Sequence, residues 1–350
     1  MFAEKTLLIL GAGASFKLGL PVGDALKSII ASALFVKSSG PMDFSLEDQT
    51  IESALKHLAA HDNPQGLSQA MLINACSQIS SAMPLARSID NFLYSHQESK
   101  EIELCGKLGI VKCILNSEAN SLLRLENQPF GGSAIDFAKL NVSWHNRFAS
   151  LLFDSTYEEL VERLKKLTVI IFNYDRCFEH FLYHAIKTHY GTSSKEAAYL
   201  VNSMAIYHPY GTVGKLPWMG ETGPFADYGE AVSGFQLLEL VDGIKTYTEG
   251  VDRESSEIQE IHEAIRQAKT VVFLGFGFIP LNMQLLRPTV TENTVKNKTV
   301  YTTAVGISPL DFGIVQGSIS NLLWSTTIRS GVHMSCESLF NDYAFSLFNT

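Results

Sequence analysis

The feature that most constrains the fold is a short pattern that occurs twice, far apart in the chain. Residues 6–13 read TLLILGAG and residues 270–277 read TVVFLGFG, so each copy is a threonine, an apolar run and a Gly-x-Gly turn. Continuous apolar runs of this length are typical of strands in parallel sheets that helices cover on both faces. Both turns would then lie at the carboxyl edge of one sheet, where open α/β sheets bind ligands. The repeat predicts such a sheet, with two turns that grip two parts of one extended ligand.

Strand and helix patterns alternate through the second half of the chain, as a parallel sheet requires. The predicted strands and helices lie at 168–172, 176–188, 204–207, 255–268, 270–274, 299–304 and 309–318. Between residues 37 and 165, strand signals are scarce and apolar residues recur at helical spacing. Within that stretch, Ser155-x-x-Glu158 has the spacing of a capping box at the start of a helix.

These patterns predict an α/β fold: a Rossmann-like parallel sheet with helices on both faces and a large helical insertion. The sheet domain would comprise residues 1–36 and 166–320, the mostly helical insertion residues 37–165, and a C-terminal extension residues 321–350. The segment 209–235 is rich in glycine and proline, and it is predicted to be a functional loop.

Composition narrows the class of protein. The net charge of -9 argues against a general binder of nucleic acid or of anionic membranes, because those partners reward lysine and arginine. The five cysteines form no C-x-x-C pair, so a structural zinc module is not expected. No apolar run is long enough to cross a bilayer and no signal peptide is apparent, so we expect a cytoplasmic protein.

The first glycine turn is a candidate phosphate-binding loop. It consists of Gly11, Ala12, Gly13, Ala14 and Ser15. Glycine permits close backbone approach, and the amides of residues 13–15 would point at a phosphate, with the serine hydroxyl as a further donor. A tight strand-to-helix turn without a ligand is the alternative. Phe16 stands where dinucleotide-binding fingerprints have a third glycine, which disfavours a dehydrogenase, and the P-loop of many ATPases is absent.

Three polar residues follow two other predicted strands. Asn173 and Asp175 come after the apolar run at 168–172, at the same sheet edge as the first turn. Asparagine is unfavourable in strands, so its place there suggests a role in a site, although Asp175 could instead cap the next helix. His208 ends the strand at 204–207, and histidine can transfer protons near neutral pH.

Taken in order, these motifs resemble the sirtuin-like NAD-binding domain over roughly residues 5–35 and 165–305. The matching residues are the first nucleotide loop at 11–15 with Gly19 and Pro21, the element Asn173-x-Asp175, the catalytic histidine His208, and the adenosine-side turn with Gly275 and Gly277, near which Asn282 is placed.

Two departures separate the chain from the sirtuin deacylases. Their four-cysteine zinc module cannot be assembled here, and Pro21 is followed by Val-Gly-Asp rather than by an acidic-Phe-Arg segment. The segment Phe-Asn-Tyr-Asp at 172–175 and the helical insertion look more like the sirtuin-like NADase domains of bacterial antiphage defence than like the deacylases. The segment SIDNFL at 88–93 resembles a further element of that branch, which implies that Asp90 and Asn91 lie near the nicotinamide-side ribose.

The resemblance implies an NAD+ hydrolase that releases nicotinamide and ADP-ribose and so depletes NAD+ during antiphage defence. Asn173 would position the ribose and the attacking water, His208 would act as general base, and Asp175 would organise the site. NAD+ would be the substrate, with no metal. The implied partners are further copies of the chain and a HerA-type ATPase or another defence sensor, with no direct contact to nucleic acid.

Two alternatives remain open at the level of sequence. A zinc-free sirtuin-type deacylase or ADP-ribosyltransferase would release nicotinamide only when an acetylated peptide or another acceptor is present. A module that senses NAD or ADP-ribose would retain the nucleotide without turning it over.

Overall fold

The computed structural model describes residues 4–40, 43–60, 66–127, 132–246, 255–289, 294–324, 327–331 and 333–348. The strands are β1 (Thr6–Leu10), β2 (Val36–Gly40), β3 (Asp43–Leu46), β4 (Glu126–Asn127), β5 (Ser133–Ala134), β6 (Leu167–Ile171), β7 (Ala205–Tyr207), β8 (Thr270–Leu274), β9 (Thr299–Thr302) and β10 (Thr327–Arg329). The helices are α1 (Gly23–Ala33), α2 (Gln49–Ala60), α3 (Gln69–Ala82), α4 (Ile89–Ser95), α5 (Lys100–Ala119), α6 (Trp144–Leu152), α7 (Tyr157–Lys165), α8 (Cys177–Tyr190), α9 (Ser194–Asn202), α10 (Gly234–Val241), α11 (Ser256–Gln267), α12 (Pro280–Leu285), α13 (Pro309–Leu323), α14 (Cys336–Asp342) and α15 (Ala344–Phe348).

The central sheet is parallel and has the strand order β10-β9-β8-β1-β6-β7 within the described residues. The register of β1 with β8 pairs Thr6 with Thr270 and Leu10 with Leu274, so the two copies of the repeated pattern lie side by side, residue for residue. All residues of both strands are buried, which explains why neither strand has a polar face. The prediction that both glycine turns lie at one sheet edge is confirmed.

Helices cover both faces of this sheet, and each face has its own hydrophobic core. Leu7 belongs to one cluster, which includes Ile30 of α1 and residues of α3, α5 and α11. Its neighbour Leu8 points to the other cluster, which includes Phe181 of α8 and residues of α6 and α9. Successive side chains of a strand point to opposite faces, so an all-apolar strand needs a cover on each side. The fold is the predicted Rossmann-like α/β architecture.

Residues 37–165 are mostly helical, as predicted, and they contribute to both cores. Helix α5 packs against α1, α3 and α10, which together cover one face of the sheet. Helix α6, from the same stretch, carries Trp144 and Phe148, and both are buried in the core on the opposite face. The insertion is therefore part of the cover of the sheet.

Two sequence-based boundaries differ from the structure. The capping box before α7 is formed by Thr156 and Glu159, one residue later than predicted, since the Ser155 hydroxyl donates to the Leu152 carbonyl instead. Strand β10 pairs with β9, so the sheet continues beyond residue 320 and takes its edge strand from the predicted C-terminal extension. No helix in the described ranges combines the length and hydropathy needed to cross a membrane.

Candidate functional site

A cavity of about 820 Å³ opens at the carboxyl edge of the sheet. Its volume lies in the range of small-molecule sites, roughly 300–1,000 Å³. Residues that follow β1, β6, β8 and β9 line it, together with the start of α4 from the insertion and the start of α14. These four strands are neighbours in the sheet, so the cavity extends across three strand spacings, about 14 Å. Its shape suits an elongated ligand.

The two glycine turns pack directly against each other. The amide of Gly11 donates to the carbonyl of Leu274 at 2.9 Å, and the amide of Gly13 donates to that of Gly275 at 3.0 Å. Gly275 has a φ of +56°, and a Cβ there would lie 2.1 Å from the Ala14 nitrogen. Only glycine combines this backbone conformation with this approach. The glycines are therefore required for the contact between the turns.

This packing corrects the predicted role of the backbone amides in the first turn. The Gly13 amide bonds to the second turn, the Ala14 amide donates to the Gly11 carbonyl at 2.8 Å, and the Ser15 amide donates to the Ala12 carbonyl at 3.3 Å. These three amides are thus occupied by the protein itself, and the expectation that they face a phosphate is wrong for this arrangement. Lys17, which lines the cavity after the turn, forms no ion pair with any described residue.

Asn173 and Asp175 both line the cavity, and both also hold its wall. The Asn173 amide nitrogen donates to the Gly11 carbonyl at 3.1 Å, which ties the end of β6 to the first turn. The Asp175 carboxylate accepts from the Ser15 hydroxyl and from the Cys177 amide, each at 3.1 Å, so it caps α8. Burial raises the pKa of Asp175 above its usual range. Asp175 therefore both lines the cavity and binds the first amide of α8.

Asp90 brings the insertion to the site. It lies in the first turn of α4, where Ser88 caps the helix by accepting from the Asn91 amide at 3.0 Å. Its carboxylate accepts from the Tyr174 hydroxyl, and burial raises the pKa of Asp90. Asp90, Asn91 and Tyr174 all line the cavity next to Asn173. The polar side chains of Asp90, Asn91, Asn173 and Tyr174 therefore lie together at the β6 end of the cavity.

His208 lies behind this group and is not among the residues that line the cavity. Its Nε2 lies 2.6 Å from the Glu179 carboxylate and its Nδ1 lies 3.3 Å from the Asn173 carbonyl oxygen. Both partners are acceptors, an arrangement that favours the protonated ring, because only that form can donate from both nitrogens. Burial opposes that charge, but Glu179 outweighs it and raises the pKa of His208. Its ring nitrogens therefore face Glu179 and Asn173 rather than the cavity, and the general-base role of His208 stays a prediction.

The second turn leads into the other predicted residues. Thr303, after β9, accepts from the Gly275 amide at 2.9 Å. Gly277 lines the cavity, and a Cβ there would meet nothing closer than 3.8 Å. Asn282 accepts from the Tyr210 hydroxyl at 2.7 Å, and the Tyr210 ring lies against that of Tyr174. Asn282 therefore lies toward the β6 end of the cavity.

The remaining predicted residues have different positions around the first turn. Ala12 and Pro21 line the cavity. Gly19 does not; it ends a short helical turn with a φ of +102°, a conformation that favours glycine. Ala14 is buried behind the turn.

Sequence reasoning missed Tyr174, Lys17 and Glu337 as cavity residues. Tyr174 stands inside the Asn-x-Asp element, and its place between two selected residues was a usable signal. Lys17 follows the first turn by two residues and could have been selected by its charge. Glu337 gave no signal, because it follows β10, a strand that sequence reasoning did not predict.

The fold and the cavity define an α/β protein with a large cavity at the carboxyl edge of a parallel sheet. No protein-family model matches the chain, and the search of curated proteins finds no match. Among the described residues, no group of three or more histidine, cysteine, aspartate or glutamate side chains could hold a metal ion.

Proposed function

We propose that this protein is an NAD+ glycohydrolase, which cleaves NAD+ to nicotinamide and ADP-ribose. The observation that carries the proposal is the single cavity across four strand ends, in which Asn173, Asp90 and Asp175 meet beside the paired glycine turns. The order of the motifs, which resembles sirtuin-like NADase domains, supports NAD+ as the ligand. Depletion of NAD+ in antiphage defence is the role that this resemblance suggests.

Cleavage of the bond between ribose and nicotinamide requires a site that stabilises positive charge on the ribose. The bond from C1′ to the nicotinamide nitrogen breaks, the nitrogen keeps the electron pair, and an oxocarbenium-like ribosyl group develops. A water oxygen then bonds to C1′ and loses a proton. Carboxylates and amide dipoles in a water-poor site stabilise such a transition state. Asp90 and Asp175 provide the carboxylates here, and Asn173 provides the amide.

The residues divide the work as follows in this proposal. The Asn173 nitrogen is bonded to Gly11, so the side-chain oxygen is the atom available to a ribose hydroxyl or to the water. Asp90 accepts the proton from the water, since a buried carboxylate with a raised pKa is suited to that step. His208 acts as a positioning residue, because it holds the Asn173 carbonyl. Lys17 attracts the pyrophosphate.

A sensor that binds NAD or ADP-ribose without turnover is the second candidate function. It is favoured by the same contacts that tie Asn173 and Asp175 into the wall and draw His208 away from the cavity. The two candidates differ in whether nicotinamide is released.

The test incubates the purified chain with NAD+ and measures nicotinamide and ADP-ribose by liquid chromatography. We expect equal amounts of both products, and a loss of rate of about 10²-fold or more in Asn173→Ala and in Asp90→Asn. Asn321→Ala, which changes an exposed asparagine of α13, is the matched control. Retention of ADP-ribose without turnover would favour the sensor, and release that depends on an acetylated peptide would favour a deacylase.

We also propose that assembly controls the enzyme, because unregulated cleavage of NAD+ would harm the cell that makes it. The candidates are further copies of this chain and a sensor protein such as a HerA-type ATPase. Rates should then rise with protein concentration or on addition of the partner. Light scattering combined with the chromatographic assay tests this, and a monomer with full activity would contradict it.

A further inference from the structure

Charged groups are few in the cavity and unevenly placed. Its lining includes one cation, Lys17, and three carboxylates, those of Asp90, Asp175 and Glu337, among the described residues. Asp90 and Asp175 lie beside Asn173, at the end of β6. Glu337 is separate from them, and it forms no ion pair with any described residue.

Glu337 lies at the opposite end of the cavity, next to β9. The Ala304 amide, just after β9, donates to the Met334 carbonyl at 2.8 Å, which holds the start of α14 beside that strand. In the sheet order, β9 and β6 are separated by β8 and β1. Glu337 and Asn173 therefore lie at the two ends of one cavity, with the glycine turns between them.

This geometry orients the dinucleotide of the proposed function. If nicotinamide and its ribose occupy the end with Asn173 and Asp90, the pyrophosphate crosses the glycine turns near Lys17. The adenosine half then reaches the β9 end, where Thr303, Ser335 and Glu337 line the cavity. The hydroxyls of Thr303 and Ser335 already accept from the amides of Gly275 and Ser338, so Glu337 is the charged group that meets this ribose.

We propose that Glu337 makes the site selective for NAD+ over its 2′-phosphorylated form, NADP+. A carboxylate accepts a hydrogen bond from a ribose 2′-hydroxyl, and acidic residues perform this recognition in other dinucleotide sites. A 2′-phosphate adds about −1.5 to −2 charge near neutral pH, which the carboxylate repels. No described cation lines this end of the cavity to neutralise a second phosphate. This inference rests on the proposed function for one point, which is the direction in which the dinucleotide lies in the cavity.

The experiment uses the adenosine half alone, so it does not depend on cleavage. Isothermal titration of the full chain compares adenosine 5′-monophosphate with adenosine 2′,5′-bisphosphate. We expect the wild type to prefer the monophosphate by about tenfold or more, and Glu337→Gln to reduce that preference to about threefold or less. Glu337→Arg should reverse it. Asp342→Asn, at the exposed far end of α14, is the matched control and should keep the wild-type preference.

An equal affinity of the wild type for both ligands, an unchanged ratio in Glu337→Gln, or no binding of either ligand would each overturn the inference. Thermal unfolding of each variant verifies that it is folded, and Glu337 is only partly buried, so its replacement by the isosteric glutamine keeps the helix. Nicotinamide release from NAD+ is measured in parallel. Release without a monophosphate preference rejects this inference alone, whereas a preference without release rejects the proposed hydrolase alone.

Discussion

At the scale of single residues, the polar groups that line the cavity also hold its walls together. Asn173 donates to Gly11, and Asp175 accepts from Ser15, so each of these two cavity-lining residues also has a structural partner. Loss of one partner leaves a buried polar group unsatisfied, which costs about 1–3 kcal/mol. Variants of these residues must therefore be compared for stability and for turnover together.

His208 leads to a prediction about pH. Because its pKa is raised in the fold, protonation stabilises the protein fully below the unfolded value of about 6.5, and this stabilisation is lost as pH rises through the higher folded value. The free energy of unfolding of the wild type should fall from pH 6 to pH 9 relative to that of His208→Gln. Urea unfolding at several pH values measures the difference between the two proteins.

The Glu179→Gln variant is the control for this behaviour, since it removes the charge that raises the pKa of His208. The difference in free energy of unfolding between Glu179→Gln and His208→Gln should depend much less on pH than the difference between the wild type and His208→Gln. A constant difference between wild type and His208→Gln over the whole range would show that the fold does not raise the pKa of His208.

At the scale of elements, the contact between the two glycine turns requires glycine at position 275 but not at position 277. A Cβ on Gly275 would lie 2.1 Å from the Ala14 backbone in a left-handed conformation, whereas a Cβ on Gly277 meets nothing closer than 3.8 Å. We predict that Gly275→Ala lowers the free energy of unfolding by about 2–4 kcal/mol through strain and steric overlap. Gly277→Ala should change it by less than about 1 kcal/mol.

Urea denaturation of the two variants tests this prediction, with each serving as the control for the other. Equal stability of both would mean that the turns separate readily, which the close packing of Gly13 and Gly275 argues against. Gly277→Val should in addition weaken NAD+ binding without unfolding the protein, because that side chain would project into the cavity wall.

A buried ion pair joins helix α5 to the start of α8, directly after the cavity-lining residue Asp175. Arg176 and Glu118 are both fully buried, and the guanidinium also donates to the Ala226 carbonyl at 2.6 Å. Removing one partner of such a pair leaves an uncompensated buried charge. Glu118→Ala should therefore lower the free energy of unfolding by roughly 3–5 kcal/mol.

The double variant Glu118→Met with Arg176→Met removes both charges and should be more stable than Glu118→Ala. Chemical denaturation of the two proteins provides the comparison. If the single variant were as stable as the wild type, the ion pair would not be fully desolvated, and the connection between the insertion and the site would be weaker than the contacts indicate.

At the scale of the whole molecule, the helical insertion and the C-terminal segment are integral parts of the sheet domain. Helix α14 packs on α6 through a stacked pair, Phe340 and Trp144, whose ring centroids are 5.4 Å apart. We predict that a chain ending at residue 320 is unfolded, because it loses β10 and the buried Leu339 and Phe340. Circular dichroism and limited proteolysis measure this.

A chain ending at residue 348 is the control for that truncation, since it keeps every element described here. It should remain folded and resist proteolysis as the full chain does. A stable, protease-resistant chain of 1–320 would contradict the prediction and would restore the domain boundary that sequence reasoning suggested.

The fold class followed from the sequence because it depends on local patterns. An apolar run such as 270–274 has no polar face, so it must be covered on both sides, and its Gly-x-Gly ending places a turn at the sheet edge. The helical spacing of the insertion was equally visible. The same patterns selected Asn173 and Asp175, which both line the cavity, since polar residues directly after buried parallel strands gather at that edge. Asp90, which also lines it, was selected only by the resemblance of the segment 88–93.

Tertiary structure decided what each of these residues touches. Sequence spacing cannot state that the Gly13 amide is used by Gly275, since the two are far apart in the chain and meet only when β1 and β8 pair. Nor can it state that His208 faces Glu179, because the direction of the His208 ring depends on how the short strand β7 is placed in the sheet. Strand ends and residue types are encoded locally, whereas hydrogen-bond partners and protonation states depend on the packing of distant segments.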